Sequence, residues 1–214
     1  MKPDIFLFTG QTTGRKLTEI KKRGMGICIS TSPGTMPVKG YGEVPCFLDN
    51  GAYACWRKGY PFQSDLYKRT VERCYKHSIK LEFFVLPDII GKGNISLDFS
   101  LKWADTFFVG VPNLALPVQD GVSYEEVENI LLSREFTHIF VGGTLEWKGN
   151  TAEHWVSLAH RMNIRCHVGR VGQFPSMQRM RNIGVDSIDS SSWCRNESWH
   201  IVDKFLEWEG THNV

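Results

Sequence analysis

The sequence contains no apolar run long enough to cross a membrane. The apolar run at residues 5–8 is far shorter than the core of a secretory signal, and no later window approaches the roughly 18 apolar residues that a spanning helix needs. Net charge is small as well, since 25 Lys and Arg oppose 23 Asp and Glu. We therefore expect a soluble cytoplasmic protein with no membrane partner, whose overall charge says nothing about its other partners.

Motifs for metals, disulfides and dinucleotides are also absent. The six cysteines form no CxxC pair, and the seven histidines form neither HxH nor HExxH. Cys166 and His167 are neighbours on a predicted strand, so only one of them can point inward. We expect reduced thiols, no structural zinc, no catalytic metal and no cofactor. No GxGxxG follows the first apolar run, which disfavours a dinucleotide-binding fold.

Short β-rich runs alternate with segments of helical periodicity along the whole chain. The predicted strands are residues 5–8, 26–30, 46–49, 83–88, 114–119, 138–142, 165–171 and 187–190. The predicted helices are residues 15–23, 65–78, 96–108, 124–133, 151–162, 175–183 and 197–208. The helix at 124 starts with a capping box, in which Ser123 precedes Glu126 by three residues.

Eight strands alternating with about seven helices predict a compact (β/α)8 barrel in one domain, residues 1–214. An open doubly wound sheet is the alternative. No helix is predicted between the second and third strands, where the segment 31–45 is rich in Gly and Pro. We interpret this segment as a long loop and a possible lid over the site.

Polar residues cluster where the predicted strands end, and in a barrel these ends form the active-site mouth. The strand-end segments are Asp49-Asn50-Gly51, Pro87-Asp88, Gln119-Asp120-Gly121, Gly142-Gly143, Gly169-Arg170 and Asp189-Ser190. Any one of them alone is typical of an ordinary turn. Six at one mouth favour a functional site.

Three aspartates at one mouth raise each other's pKa, an arrangement that costs stability unless a function uses it. One such function is metal binding. The other is chemistry at a sugar carbon, in which one carboxylate attacks the anomeric carbon and a second handles protons. The missing histidine spacings favour the sugar chemistry.

The remaining mouth residues suit a flat heterocycle such as a purine. Gln119 offers a donor and an acceptor, Asp88 accepts from an N–H edge, and Gly142-Gly143 allows close approach to backbone N–H groups. Aromatic side chains near these loops are candidates for stacking on the base: Tyr53, Phe84, Trp147 and Trp193. For Phe84, packing in the core is the stronger interpretation.

The segments FLDNGAY, FVLPDIIG, ALPVQDG, FVGGT, HVGRVG and GVDSIDSSSW occur in the order of the motifs of the tRNA-guanine transglycosylases. Over about residues 46–193 the chain resembles this superfamily. It is most similar to the phage and bacterial branch that inserts 7-deazaguanine bases into DNA. The resemblance implies a barrel enzyme in a bacterial or phage-infected cell that exchanges guanine for a 7-deazaguanine base.

The resemblance also implies individual roles. The family's nucleophile falls on Asp189, and its first motif aspartate falls on Asp49, which implies proton transfer or base recognition. Asp88 would hold the purine N1/N2 edge. Gln119 and the backbone of Gly142 and Gly143 would read O6.

The chain also departs from the family. Asn50 replaces the serine after the first aspartate, and Ser190 to Trp193 follow the nucleophile. No counterpart of the family's C-terminal zinc subdomain is found in the sequence. We therefore expect DNA, or a smaller nucleoside, rather than tRNA as the substrate.

Basic residues after the seventh predicted strand are candidates for phosphate contacts, because this corner commonly binds phosphate in barrels. They are Arg170, Arg179 and Arg181. Three hypotheses remain: exchange of guanine for a 7-deazaguanine base through an aspartyl-glycosyl intermediate, hydrolysis of the N-glycosidic bond, and a non-catalytic barrel that binds nucleotides or nucleic acid.

Overall fold

Eight parallel strands close into a barrel in the computed structural model, which describes residues 4–32 and 36–212. The strands are β1 (Phe6–Gly10), β2 (Gly26–Ser30), β3 (Cys46–Asp49), β4 (Leu81–Val85), β5 (Leu114–Val118), β6 (His138–Val141), β7 (Arg165–Val168) and β8 (Ser187–Ser190). Each strand pairs with the next, and β8 pairs with β1. The predicted (β/α)8 barrel is confirmed, and the open sheet is wrong.

Nine α-helices surround the barrel in the described ranges. They are α1 (Arg15–Lys22), α2 (Ala52–Arg57), α3 (Ser64–Lys76), α4 (Gly93–Thr106), α5 (Tyr124–Ser133), α6 (Leu145–Arg161), α7 (Phe174–Ile183), α8 (Ser191–Arg195) and α9 (Trp199–His212). None of these helices is long and apolar enough to cross a membrane. The short helices α2 and α8, which follow β3 and β8 directly, were not predicted.

Strand alternation divides the core into two parts. Along each strand, every second residue points outward and packs against the surrounding helices in the larger cluster, as Ile188 does. The next residue points into the barrel, where Phe8, Phe47, Phe83 and neighbouring side chains form a small aromatic interior. Polar side chains on the inward-facing register must therefore lie in the interior or at one of its two ends.

Side-chain caps explain one predicted helix start that is confirmed and one that is wrong. Ser123 Oγ accepts from the backbone N–H of Glu126 at 3.3 Å, so α5 begins at the predicted capping box. Thr144 Oγ1 likewise accepts from the backbone N–H of Trp147 at 3.2 Å. This cap starts α6 six residues before the predicted position and places residues 145–150, including Gly149, on a helix.

The segment 31–45 takes the place of the helix between β2 and β3. Its residues 33–35 lie outside the described residues, so the lid prediction is not tested there. Residues Lys39–Glu43 form a 3-10 helix in which Tyr41 is buried, and Tyr41 O accepts from Cys46 Sγ at the start of β3. This part of the segment packs against the outer wall of the barrel rather than over the mouth.

Candidate active site at the carboxyl end of the barrel

Asp189 points into the barrel at the end of β8. Its backbone lies opposite Phe8 of β1, and Ser187, two residues earlier, also faces the interior. Asp186 has the opposite orientation, because its Oδ2 accepts from the backbone N–H of Cys166 at 2.7 Å and contacts His160 Nε2 at 2.9 Å on the outer side. The strand period thus places Asp189, and not Asp186, at the mouth.

The two carboxylate oxygens of Asp189 have different surroundings. Oδ1 lies 3.1 Å from His167 Nε2 and accepts from the backbone N–H of Arg170 at 3.2 Å. Within the described part of the chain, Oδ2 has no hydrogen-bond partner. The side chain is otherwise buried, with the residue only 8% exposed. One oxygen is fixed by N–H groups and the other remains available to a ligand.

Asp49 ends β3 at the same mouth. Its Oδ2 accepts from Ser30 Oγ at 3.4 Å on β2. Burial and the negative charge of Asp189 raise the pKa of Asp49 to about 6, although hydrogen bonds from Gly51 and Ser30 and the charge of Arg170 oppose the increase. A carboxyl group with this pKa can take up and release a proton near neutral pH.

Asp88 follows β4 and is buried between two amides. Its Oδ1 accepts from Asn50 Nδ2 and its Oδ2 accepts from Gln119 Nε2, both at 3.0 Å. Burial raises the pKa of Asp88 to about 7, with the hydrogen bond from Asn50 opposing the increase. An ionised carboxylate has about four acceptor positions, so Asp88 can still accept from a ligand.

The amides of Asn50 and Gln119 are already engaged within the protein. Asn50 Nδ2 also donates to Leu86 O at 2.7 Å, and its Oδ1 accepts from the N–H of Ala52 at 2.7 Å. Gln119 Oε1 accepts from the N–H of Gly91 at 2.8 Å. Its Nε2 also contacts Ser96 Oγ and Ile89 O. In this structure both residues position Asp88 and the β4–α4 loop.

Gly143 is required by the turn after β6. Its φ of +74° lies in the left-handed region, and an added Cβ would lie 2.5 Å from Asp120 Oδ2 and 2.8 Å from Trp147 Cε3. The N–H of Gly142 donates to Val118 O at 2.8 Å, so it is not available to a ligand. By contrast, the N–H of Gly143 has no acceptor among the described residues.

Arg170 crosses the mouth from the loop after β7. Its guanidinium carbon lies 3.8 Å from the ring centroid of Tyr53 on α2, and its Nη2 donates to Gly143 O. Its backbone adopts a φ of +59°, which is uncommon for a residue with a side chain. This conformation accompanies the backbone N–H bond to Asp189. Arg170 therefore joins the loops after β3, β6 and β7.

Of two further residues of the site, His167 was given no role from the sequence, and Lys148 was placed only among the basic residues on or near the mouth. His167 on β7 is fully buried beneath Asp189. Lys148 on the first turns of α6 is 3% exposed, and its Nζ donates to Gly169 O. Burial, and then the charge of Arg170, lower the pKa of Lys148 to about 7. The inward parity of His167 was the available signal, whereas Lys148 lay between the predicted strand at 138–142 and the predicted helix at 151–162.

Arg179 and Arg181 do not lie at the mouth, which corrects the predicted phosphate site. Arg181 is buried and pairs through Nε with Glu209 Oε1 at 3.0 Å. Glu209 Oε1 also accepts from the N–H of Ile5, next to the start of β1 at the opposite end of the barrel. Arg179 donates from Nη2 to Gly149 O on the outer surface between α6 and α7. Of the three predicted arginines, only Arg170 lies at the mouth.

Of the aromatic candidates, Tyr53 lies at the mouth against Arg170, Trp147 lies beside Gly143, and Phe84 and Trp193 pack in the core. Trp193 is fully buried and donates from Nε1 to Gly172 O at 3.0 Å. Phe84 belongs to the core between strands and helices, as expected. The ring centroid of Trp147 lies 5.9 Å from that of Trp155 within α6. Tyr53 and Trp147 thus remain the aromatic side chains next to the mouth.

The cysteines take no part in the site. All six are free thiols, and only Cys55 is not buried. Burial raises the pKa of Cys28 in the barrel interior well above its ordinary value. Over residues 4–32 and 36–212, no group of three or more His, Cys, Asp and Glu side chains could hold a metal ion.

Comparison with models of known protein families finds no match to this chain, and comparison with curated proteins finds none either.

Proposed function

We propose that the protein is a base-exchange glycosyltransferase that replaces guanine in nucleic acid with a 7-deazaguanine base. The observation that carries this proposal is the arrangement of Asp189. One of its oxygens is fixed by two nitrogen groups, the other has no partner in the described residues, and Asp49 with a pKa near 6 shares the mouth. This pairing provides a nucleophile and a proton carrier in one site.

In the first half of the reaction, Asp189 Oδ2 attacks C1′ of the guanosine. The C1′–O bond forms while the C1′–N9 bond breaks, and the electron pair of the broken bond goes to the guanine. Protonated Asp49 delivers the proton that neutral guanine requires. Release of guanine leaves an aspartyl-glycosyl ester on Asp189 and a carboxylate on Asp49.

In the second half, the 7-deazaguanine base enters and Asp49 removes the proton from its N9. The nitrogen then attacks C1′ and breaks the ester bond, which restores the Asp189 carboxylate. Two inversions at C1′ give overall retention of configuration. Proton uptake and release by Asp49 balance over one turnover, so the reaction needs no cofactor.

Recognition of the base is assigned to Asp88 and the turn after β6. Asp88 offers acceptor positions for the N1–H and N2–H edge of guanine, and the N–H of Gly143 would donate to O6. Asn50 and Gln119 would act indirectly, because the amide of each donates a hydrogen bond to Asp88 and holds it in place. Arg170 covers one face of the Tyr53 ring, and the other face would stack on the base.

A nucleic-acid substrate is favoured by the surface next to this mouth. Trp56 is 56% exposed on α2, and Tyr60 is 58% exposed just after it. Arg57 and Lys58 lie between them and are exposed as well. Exposed aromatic rings beside basic side chains are typical of surfaces that bind single strands through stacking and phosphate contacts. We propose DNA as the strand, and Arg170 as a phosphate contact at the mouth.

Guanine release tests the proposal and separates it from the two alternatives. Labelled guanine-containing DNA, tRNA or nucleoside is incubated with the protein, with and without 7-cyano-7-deazaguanine. Without the added base, at most one equivalent of guanine per protein should be released, because the aspartyl-glycosyl ester then stays on Asp189. Release beyond one equivalent should require the added base, and should be strongest from DNA. Release beyond one equivalent without the base would indicate hydrolysis instead, and no release from any substrate would indicate a binding protein.

A further inference from the structure

His167 lies beneath Asp189 in the barrel interior and contacts its carboxylate. His167 is fully buried on β7, and its Nε2 lies 3.1 Å from Asp189 Oδ1. Its Nδ1 lies 2.8 Å from Ser187 Oγ on β8. The imidazole therefore bridges two side chains of the neighbouring strand.

Aromatic rings hold this imidazole in place. The ring of Phe140 stacks on it with centroids 5.1 Å apart and an interplanar angle of 13°. Phe47 and Phe83 contact it from the other strands, at centroid distances of 4.8 and 5.5 Å. A ring packed in this way has little freedom to rotate, so its nitrogens keep their directions.

The partners of His167 fix which nitrogen carries hydrogen. An Asp189 carboxylate can only accept, so Nε2 must be the donor. Nδ1 then accepts from the Ser187 hydroxyl when the ring is neutral, or donates to it when the ring is protonated. In both cases the Nε2–H points at Oδ1.

We propose that His167, held by Ser187, is the positioning residue of Asp189: it fixes Oδ1 so that Oδ2 faces the substrate. This inference rests on the proposed function, in which Oδ2 is the nucleophile. Without the Nε2–H, Oδ1 keeps only the backbone N–H of Arg170, and the carboxylate can turn about its Cβ–Cγ bond. The reacting oxygen would then spend less time in line with C1′.

The activity test compares variants at His167 by the rate of adduct formation in a single turnover. His167→Leu removes both nitrogens and should slow the adduct roughly 10- to 150-fold, the range for one hydrogen bond to a charged group. Affinity for guanine should change less than twofold, because His167 does not contact the base. His167→Gln can present an N–H near the position of Nε2 and should recover most of the rate.

His138→Leu is the matched control. His138 also lies in the interior and packs on Phe83 at 4.1 Å, but its hydrogen bond goes to Thr137. Its removal should leave the adduct rate within twofold of the unmodified protein, with thermal unfolding followed for every variant. The inference would be overturned if His167→Leu formed the adduct as fast as the unmodified protein. It would also be overturned if His138→Leu lost as much of the adduct rate as His167→Leu while the two variants were equally stable.

A measurement without substrate separates failure of this inference from failure of the proposed function. Long-range ¹H–¹⁵N spectra of the imidazole rings should show His167 with hydrogen on Nε2, and Asp189→Asn should shift the His167 nitrogens while leaving those of His138 in place. An unshifted His167 would overturn the pairing. If the unmodified protein forms no adduct at all, the proposed function fails. The positioning of a nucleophile by His167 is then also wrong, even if the spectra show that His167 pairs with Asp189.

Discussion

The two ends of this barrel differ in the partners of their buried carboxyl groups. At the amino-terminal end, buried Arg181 and Glu209 pair with each other, and Glu209 also accepts from the N–H of Ile5. At the carboxyl end, burial raises the pKa of Asp49 and Asp88 to about 6 and 7, because their neighbours offset only part of the desolvation. Burial raises the pKa of Glu209 as well, but Glu209 has a cationic partner in Arg181. Among the described residues, the carboxyl groups of Asp49 and Asp88 accept hydrogen bonds from neutral groups only, so their charge is less compensated, as is typical of reactive sites.

A cavity does not by itself mark the reactive end. A cavity of about 300 Å³ opens at the amino-terminal end, where Phe6, Phe8 and Phe83 line it together with His138. Burial lowers the pKa of His138 to about 3, so this imidazole is neutral at physiological pH. The carboxyl groups of Asp49 and Asp88, with pKa values of about 6 and 7, lie at the other end, and chemistry in barrels of this type takes place there.

The largest effect is expected from breaking the charge pair at the amino-terminal end. Glu209→Gln removes the buried carboxylate that pairs with Arg181 and should lower the free energy of unfolding by about 3–5 kcal/mol. Glu207→Gln, an exposed position on the same helix, is the control and should change it by less than about 0.5 kcal/mol. Urea denaturation measures both, and equal stability of the two variants would contradict the assigned role of the pair.

A smaller effect is expected on ligand binding at the carboxyl end. Asp88→Ala removes the acceptor for the base edge and should weaken guanine affinity at least tenfold, corresponding to about 1.5–3 kcal/mol for a charge-assisted bond. Calorimetric titration with guanine measures the change. Asp98→Ala, an exposed position on α4, should leave the affinity unaltered. Unchanged affinity in Asp88→Ala would remove Asp88 from the base site.

The raised pKa of Asp49 predicts a pH dependence of stability. In the unfolded chain this carboxyl has its ordinary pKa near 4, and in the folded protein the pKa is about 6. The folded state therefore binds the proton more tightly, and the stability that this provides is present below pH 4 and is lost as the pH rises through 6.

Asp49→Asn should remove this contribution. Between pH 4 and pH 7, the free energy of unfolding of the unmodified protein should fall by about 1–3 kcal/mol relative to that of the variant. Parallel urea titrations of the two proteins across this range give the difference directly. A difference that does not change with pH would mean that Asp49 titrates normally in the folded protein.

The smallest effect is expected at the surface beside the mouth. Trp56→Ala should weaken binding of a single-stranded oligonucleotide about fivefold, near the low end of the range for loss of one stacked base. Fluorescence anisotropy with a labelled strand measures it. Tyr75→Ala removes an exposed aromatic side chain from α3 and serves as the control. Equal effects of the two variants would show that α2 contributes no specific contact.

The mouth itself could be predicted from the sequence because it depends on local patterns. Each strand alternates with period two, and the polar residues that end the strands fall at one end of any closed parallel barrel. Parity shows that only one of Asp186 and Asp189 can point inward, and the resemblance to the transglycosylases selects Asp189. These inferences need no knowledge of which strands are neighbours.

The missing parts depend on contacts between distant segments. His167 meets Asp189 only because β7 and β8 pair with His167 opposite Ser187, a register that the closed barrel sets. Arg181 seemed available for phosphate because its partner Glu209 is 28 residues away, on a different helix. Lys148 lay outside the predicted helix at 151–162, and it is helical because the cap at Thr144 starts α6 earlier, despite the low helix propensity of Gly149.

The covalent intermediate on Asp189 is the most direct test of the account. The protein is incubated with guanine-containing DNA, denatured, and examined by intact mass for an attached strand. We predict an adduct in the unmodified protein and in Asp186→Asn, and none in Asp189→Asn, whose fold should be kept because the change is isosteric. An adduct that survives in Asp189→Asn and disappears in Asp186→Asn would contradict the assignment of the nucleophile.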